Sequence, residues 1–201
     1  MLALTHATKA GLALFIGAVQ SVIGIILAEI YYPGYSDSAN HISDLGANCS
    51  SGSCTILQPS SDIFNISTIL LGLLVIVSAY FLQKSFAWKP ATGLLALTGI
   101  GALGVGFFPE TTGSVHDIFS LIVFLFGGLS AIITFWLQKP PFSYLSIILG
   151  AVTISALFLY VGSIYLGLGP GGMERMVAYP ALLWAVGFGG HLMGLEDIPR
   201  D

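Results

Sequence analysis

Charged positions are so sparse along this chain that they divide it into apolar blocks. Nineteen uncharged residues separate Lys9 from Glu29, and 21 separate Asp62 from Lys84. Lys89 to Glu110 encloses 20, Asp117 to Lys139 encloses 21, and Arg175 to Glu196 encloses 20. Lys139 to Glu174 encloses 34, of which Gly167 to Gly172 reads as a glycine and proline turn. About 20 apolar residues make a helix long enough to cross the hydrocarbon core of a bilayer. The pattern therefore predicts an all-α polytopic membrane protein, a six-transmembrane-helix bundle forming one domain. The expected spans are 10–31, 63–83, 91–108, 117–137, 142–166 and 175–195, with a loop over 32–62.

Composition agrees with this pattern. Hydrophobic residues make up 55% of the 201 positions, charged residues 8%, and the mean hydropathy is +0.90. A soluble domain carries about 25% charge. The first span is long and glycine-rich, with no small-residue cleavage signal after it, and reads as a retained helix. A net charge of −4 argues against a nucleic-acid partner. Gly99, Gly101 and Gly104 match a dinucleotide fingerprint in letters only. No strand precedes them, so they read as a close-packing face.

Lysine and arginine set the orientation. Lys9, Lys84, Lys89, Lys139 and Arg200 fall on one side if the helices alternate, and Arg175 alone falls on the other. Both termini are then cytoplasmic, in the cell membrane, and the 32–62 loop faces outward. Cys49 and Cys54, the only cysteines, lie in that loop. An oxidising compartment favours a disulfide that pins a small hairpin. The alternative is half a metal site. Asn48 and Asn65 each open a match to the glycosylation pattern.

Within the spans, Ala13, Gly17, Ser21, Gly24 and Ala28 form a small-residue stripe suited to close helix packing. Gln20 is expected to bond a neighbouring helix. Glu29, in the last turn of span one, either reaches the interface or joins an outer polar cluster. Asp62 and Asn65 suit the start of span two. Pro180 lies within span six, and His191 near its cytoplasmic end.

Polar chemistry gathers in the loop and at the helix ends that share its side. Asn40, His41, Ser43 and Asp44, closed by Gly46, form a compact polar turn. By residue type alone, a capped, solvated turn is favoured over a site. Glu110 follows span three, His116 opens span four with Ser120 one helical turn below it, and Glu174, Arg175 and Tyr179 open span six. Arg175 needs an anionic partner: Asp44, Glu110, Glu174 or a lipid phosphate.

The Tyr-Pro-Gly-Tyr-Ser run from Tyr32, Asn40–Ala47, Phe107–Glu110 with the following His116, and Gly172–Pro180 together resemble the prokaryotic membrane family DUF998 over nearly the whole chain. A looser similarity links Ile42–Gly46, Phe64-Asn65, His116 and Glu174 to DRAM-type proteins and their relatives in GPI-anchor lipid remodelling. The resemblance implies six spans, a shared outer polar cluster and contact with lipid head groups. It supplies no reaction and no cofactor.

Two functions from different classes fit. The cluster of Asn40, His41, Ser43, Glu110, Arg175 and Tyr179 binds lipid head groups or a protein partner. Alternatively, the protein is an enzyme acting on outer-leaflet lipids, a hydrolase or transferase, with Asp44, His116 and Glu174 as its catalytic groups. A metal version would draw on His116, Asp44 and Glu174, with His41 as a further ligand. Ser43 is a candidate nucleophile without a visible base. A transporter fits least, because no ionisable residue lies at mid-membrane.

Overall fold

The computed structural model describes residues 4–49 and 52–195. Among them are six long helices: α1 His6–Ile30, α2 Ser60–Phe86, α3 Lys89–Phe107, α4 Ser114–Ile133, α5 Phe142–Val161 and α6 Gly169–Met193. Each is long and apolar enough to cross a membrane, α4 together with the 3₁₀ turn that extends it to Leu137. The chain is a multi-pass membrane protein.

Each helix packs against its sequence neighbours, and α6 closes back on α1, so the six form a ring. Small residues permit the closest crossings. A Cβ on Gly189 would lie 2.8 Å from the carbonyl oxygen of Gly11, and one on Gly99 the same distance from that of Gly72. Lipid offers no hydrophobic drive for helix association, so such contacts must supply it by dispersion. The stripe Ala13, Gly17, Ser21, Gly24 and Ala28 is buried throughout, as expected. Gln20 donates to the carbonyl of Ser67 on α2 at 2.9 Å. Large apolar side chains such as Ile16, Leu73, Phe158 and Leu183 point outward, where lipid replaces protein.

Three differences from the expected spans have physical causes. Span five ends at Val161, because Ser163 and Leu166 adopt positive φ. α6 begins at Gly169, inside the stretch read as a turn. Pro170 suits a helix start, where its missing N–H costs nothing. α2 begins at Ser60, two residues before Asp62, and neither Asp62 nor Asn65 caps it. Asp62 accepts from Gln58, and Asn65 donates to the Ser61 hydroxyl.

The loop between α1 and α2 is part of the core. Ile42 and Leu45 are 5% and 1% exposed and pack with Ile25, Ala28, Phe64 and Val105 in the mouth of the ring. Burial of each contributes about 1.5–3 kcal/mol. The Ser60 and Ser61 hydroxyls donate to the carbonyls of Leu45 and Gly46, which fixes the 3₁₀ turn Ser43–Leu45 over the start of α2. Beyond it, Cys49 and Cys54 form a disulfide across a small hairpin, paired at Asn48 and Thr55. Ser50, which completes the Asn48 glycosylation pattern, and Arg200 lie outside the described residues.

Candidate functional site

The loop end of the ring holds two polar centres, and both are set by the first turns of α6. Arg175 makes the first. Its Nη1 donates to the carbonyls of Asp37 at 2.9 Å, Gly171 at 3.1 Å and Asn40 at 3.3 Å. Its Nη2 donates to Glu29 Oε1 at 2.7 Å, Tyr35 Oη at 2.9 Å and Asp37 Oδ1 at 3.2 Å. The partners expected for Arg175 were Asp44, Glu110, Glu174 or a phosphate. The structure instead gives it Glu29 and Asp37, with loop carbonyls completing the fork. Glu29 thereby joins the polar cluster rather than simply reaching the interface.

Glycine makes this clamp possible. The loop lies directly on the start of α6, where Gly171 N–H donates to the Ser38 carbonyl at 3.0 Å. A Cβ on Gly171 would collide with the carbonyl of Asn40. The run from Gly169 to Gly172 is thus the surface that receives the loop. Tyr35 carries the clamp onward by donating from its hydroxyl to the His41 carbonyl at 2.8 Å. Burial pushes the Tyr35 phenol well above its usual pKa, so the proton it donates is retained.

The second centre is a cleft of about 500 Å³ beside the clamp. His41, Ser43, Asp44, Glu110, His116 and Glu174 form its polar lining, and Leu121, Phe124, Leu157 and Tyr160 of α4 and α5 its apolar lining. Asp44 is buried, at 3% exposure, which overturns the solvated-turn expectation. Its Oδ2 accepts from Asn40 Nδ2 at 2.8 Å and from the His41 backbone N–H at 3.1 Å. Oδ1 is buried without a hydrogen-bond partner. The Asp44 carboxylate, 3.8 Å from His41 Nδ1, raises the His41 pKa above its usual value, against the opposing effect of burial. The imidazole also meets the Tyr160 ring edge-on.

Glu110 and Glu174 reach the cleft from different helix ends. Ser43 Oγ donates to Glu110 Oε1 at 2.6 Å, and the Cys49 backbone N–H donates to Oε2 at 3.4 Å. The disulfide hairpin therefore helps to aim Glu110. Glu174 is buried and accepts the backbone N–H of Ile42. His116 lines the cleft, but both of its ring nitrogens are engaged. Nδ1 contacts the Phe108 carbonyl oxygen at 2.8 Å, and Nε2 contacts Ser120 Oγ at 3.2 Å. That arrangement ties the end of α3 to α4. Tyr179 packs in the apolar cluster beneath the loop.

Below the cleft, the centre of the ring contains an apolar cavity of about 110 Å³. Leu14, Phe64, Val75, Leu95, Ala102 and Trp184 are among the residues that enclose it. Ser43, Ser120, Phe124 and Glu174 line both spaces, so polar cleft and apolar cavity share a border of four side chains.

The family model for proteins of unknown function DUF998 matches residues 15–191, from within α1 to the last turns of α6. The chain belongs to the DUF998 family. The match takes in the loop, the Arg175 clamp and every polar group of the cleft, so both centres lie within the DUF998 region. No curated protein and no solved structure matches the chain, and the looser likeness to DRAM-type proteins stays a resemblance of motifs.

Two features were hidden in the sequence. The pairing of Arg175 with Glu29 and Asp37 spans 146 and 138 residues, and no local spacing announces it. The contact of Ser43 with Glu110 spans 67. The one available signal was the need of a lone base for anionic partners.

Proposed function

We propose that this DUF998 protein holds a membrane amphiphile, with its polar group in the cleft and an acyl chain directed into the cavity. The observation that carries the reading is the shared border of the two spaces at Ser43, Ser120, Phe124 and Glu174. An apolar space with a few convergent polar groups at one end is the usual form of a small-molecule site. α4 and α5 line the cleft near their loop ends, and Leu121 and Val161 there are exposed to lipid. The amphiphile enters between these two helices.

The polar wall selects the head group. Asp44, Glu110, Asp117 and Glu174 are acids, and Arg175 is spent in its own clamp. The cleft therefore favours hydroxyl or amine donors over a bare phosphate. Lys9, Lys84, Lys89 and Lys139 fall at helix ends away from the loop, which supports cytoplasmic termini and an outward cleft.

A second reading, an enzyme acting on the same lipid, is favoured by the Ser43–Glu110 hydrogen bond, which gives the candidate nucleophile a carboxylate acceptor.

Native mass spectrometry tests the binding reading on wild type, Ser120→Phe at the shared border, and Leu183→Phe on the lipid face as a control. Wild type and Leu183→Phe should retain one specific lipid, and Ser120→Phe should lose it. Identical bulk lipid on all three proteins would defeat the proposal. Conversion of the retained lipid by wild type, lost in Ser43→Ala, would establish the enzyme reading.

A further inference from the structure

We infer that His41, Asp44 and Glu110 form a divalent-cation site on the polar wall of the cleft. One ligand atom from each of the three lies within 4.8 Å of the others. A donor set of one imidazole nitrogen and two carboxylates suits a first-row divalent cation such as Zn²⁺ or Mn²⁺. The trio differs from the set expected from sequence, which centred on His116. Both His116 ring nitrogens already have partners.

Asp44 Oδ1 is the independent pointer. The carboxylate is held rigidly through Oδ2 by Asn40 and the His41 backbone N–H, while Oδ1 is buried with no hydrogen-bond partner. His41 Nδ1, at 3.8 Å, is beyond hydrogen-bond range. Leaving a buried carboxylate oxygen without a donor is costly, and a cation would supply what the protein does not. Arg175 cannot serve, because both of its terminal nitrogens are committed to Glu29, Tyr35 and the loop.

The outer shell is also built. Ser43 Oγ and the Cys49 N–H orient Glu110, and Asn40 orients Asp44. Supporting contacts of this kind hold ligands in place for a metal. All three residues line the 500 Å³ cleft, which would leave room for water or a head-group oxygen beside a bound ion. The competing explanation of the trio is an ion pair in which protonated His41 neutralises Asp44, with no metal.

The test uses full-length protein in detergent, stripped with a chelator and titrated with Zn²⁺ or Mn²⁺, with bound metal counted per chain by elemental mass spectrometry. Wild type should take up one ion. His41→Ala and Glu110→Gln should each bind at least about tenfold more weakly. Asp62→Asn, an exposed acid outside the cleft, should bind like wild type. Both ligand variants alter partly exposed residues, and either one that melts like wild type is sufficient for the comparison. Absence of a stoichiometric ion on wild type, or equal affinity in all four proteins, would overturn the site and leave the ion pair. Because the readout is bound metal, with or without retained lipid, neither result depends on the amphiphile reading.

Discussion

Glu174 and Arg175 are consecutive residues in the first turns of α6, yet they serve two centres with opposite balances of charge and hydrogen bonding. Arg175 meets six acceptors, two of them carboxylates, so its donors are matched by what surrounds them. Glu174 faces a cleft that also holds Asp44, Glu110 and Asp117 and contains a buried carboxylate oxygen without a donor. A fully satisfied buried network rigidifies a fold, whereas a buried polar atom without a partner calls for an explanation, a water or an ion among them. The first centre is the brace, and the second is the one we propose as the binding site.

Substitutions separate the two. Arg175→Ala should have the largest effect on stability. It strands the Glu29 carboxylate and releases the loop carbonyls; removal of one partner from a fully buried pair costs about 3–5 kcal/mol, and the part-buried Glu29 puts the loss at the lower end of that range. Thermal melting in detergent would show a large drop, and a change below about 1 kcal/mol would deny the clamp. Removing the disulfide with Cys49→Ser and Cys54→Ser comes next. The cross-link closes a sequence separation of only 5, so the loss should be about 2 kcal/mol. The loosened hairpin should also weaken any ligand that depends on Glu110, so the double variant acts on stability and on the cleft together.

Glu110→Gln should be nearly silent in melting, at or below about 1 kcal/mol, because Gln retains an acceptor for Ser43. Its effect should fall on ligand binding. A large melting change with no binding change would make Glu110 part of the brace. Asp37→Ala should do least. Its side chain is 75% exposed, and exposed ion pairs contribute about 0–1 kcal/mol. If Asp37→Ala matched Arg175→Ala, the clamp would rest on the exposed carboxylate rather than on Glu29.

The six helices were legible because lipid permits so little variety. A span must be apolar for about 20 residues, and the charges that end it stand out. The small-residue stripe of α1 and the cysteine pair were legible for the same reason, since each follows from a local pattern. The site was legible only as a list of residue types on one side. Whether Asp44 is solvated or buried depends on Ile42 and Leu45 entering the ring, which is a tertiary event. Gly169–Gly172 read as a turn because glycine and proline usually break helices. Here they begin one, and their missing side chains make room for the loop. The residue type of Arg175 calls for an anion, but packing across the whole chain decides that the anions are Glu29 and Asp37.

The most direct measurement is an experimental structure of the protein in a lipid environment, with attention to the space bounded by Ser43, Ser120, Phe124 and Glu174. Continuous elongated density running from the cleft between α4 and α5, past Phe124 and into the cavity, is the predicted result. A cleft filled by water alone, above a cavity closed by the surrounding side chains, would contradict an amphiphile-binding role and leave both centres as parts of the scaffold.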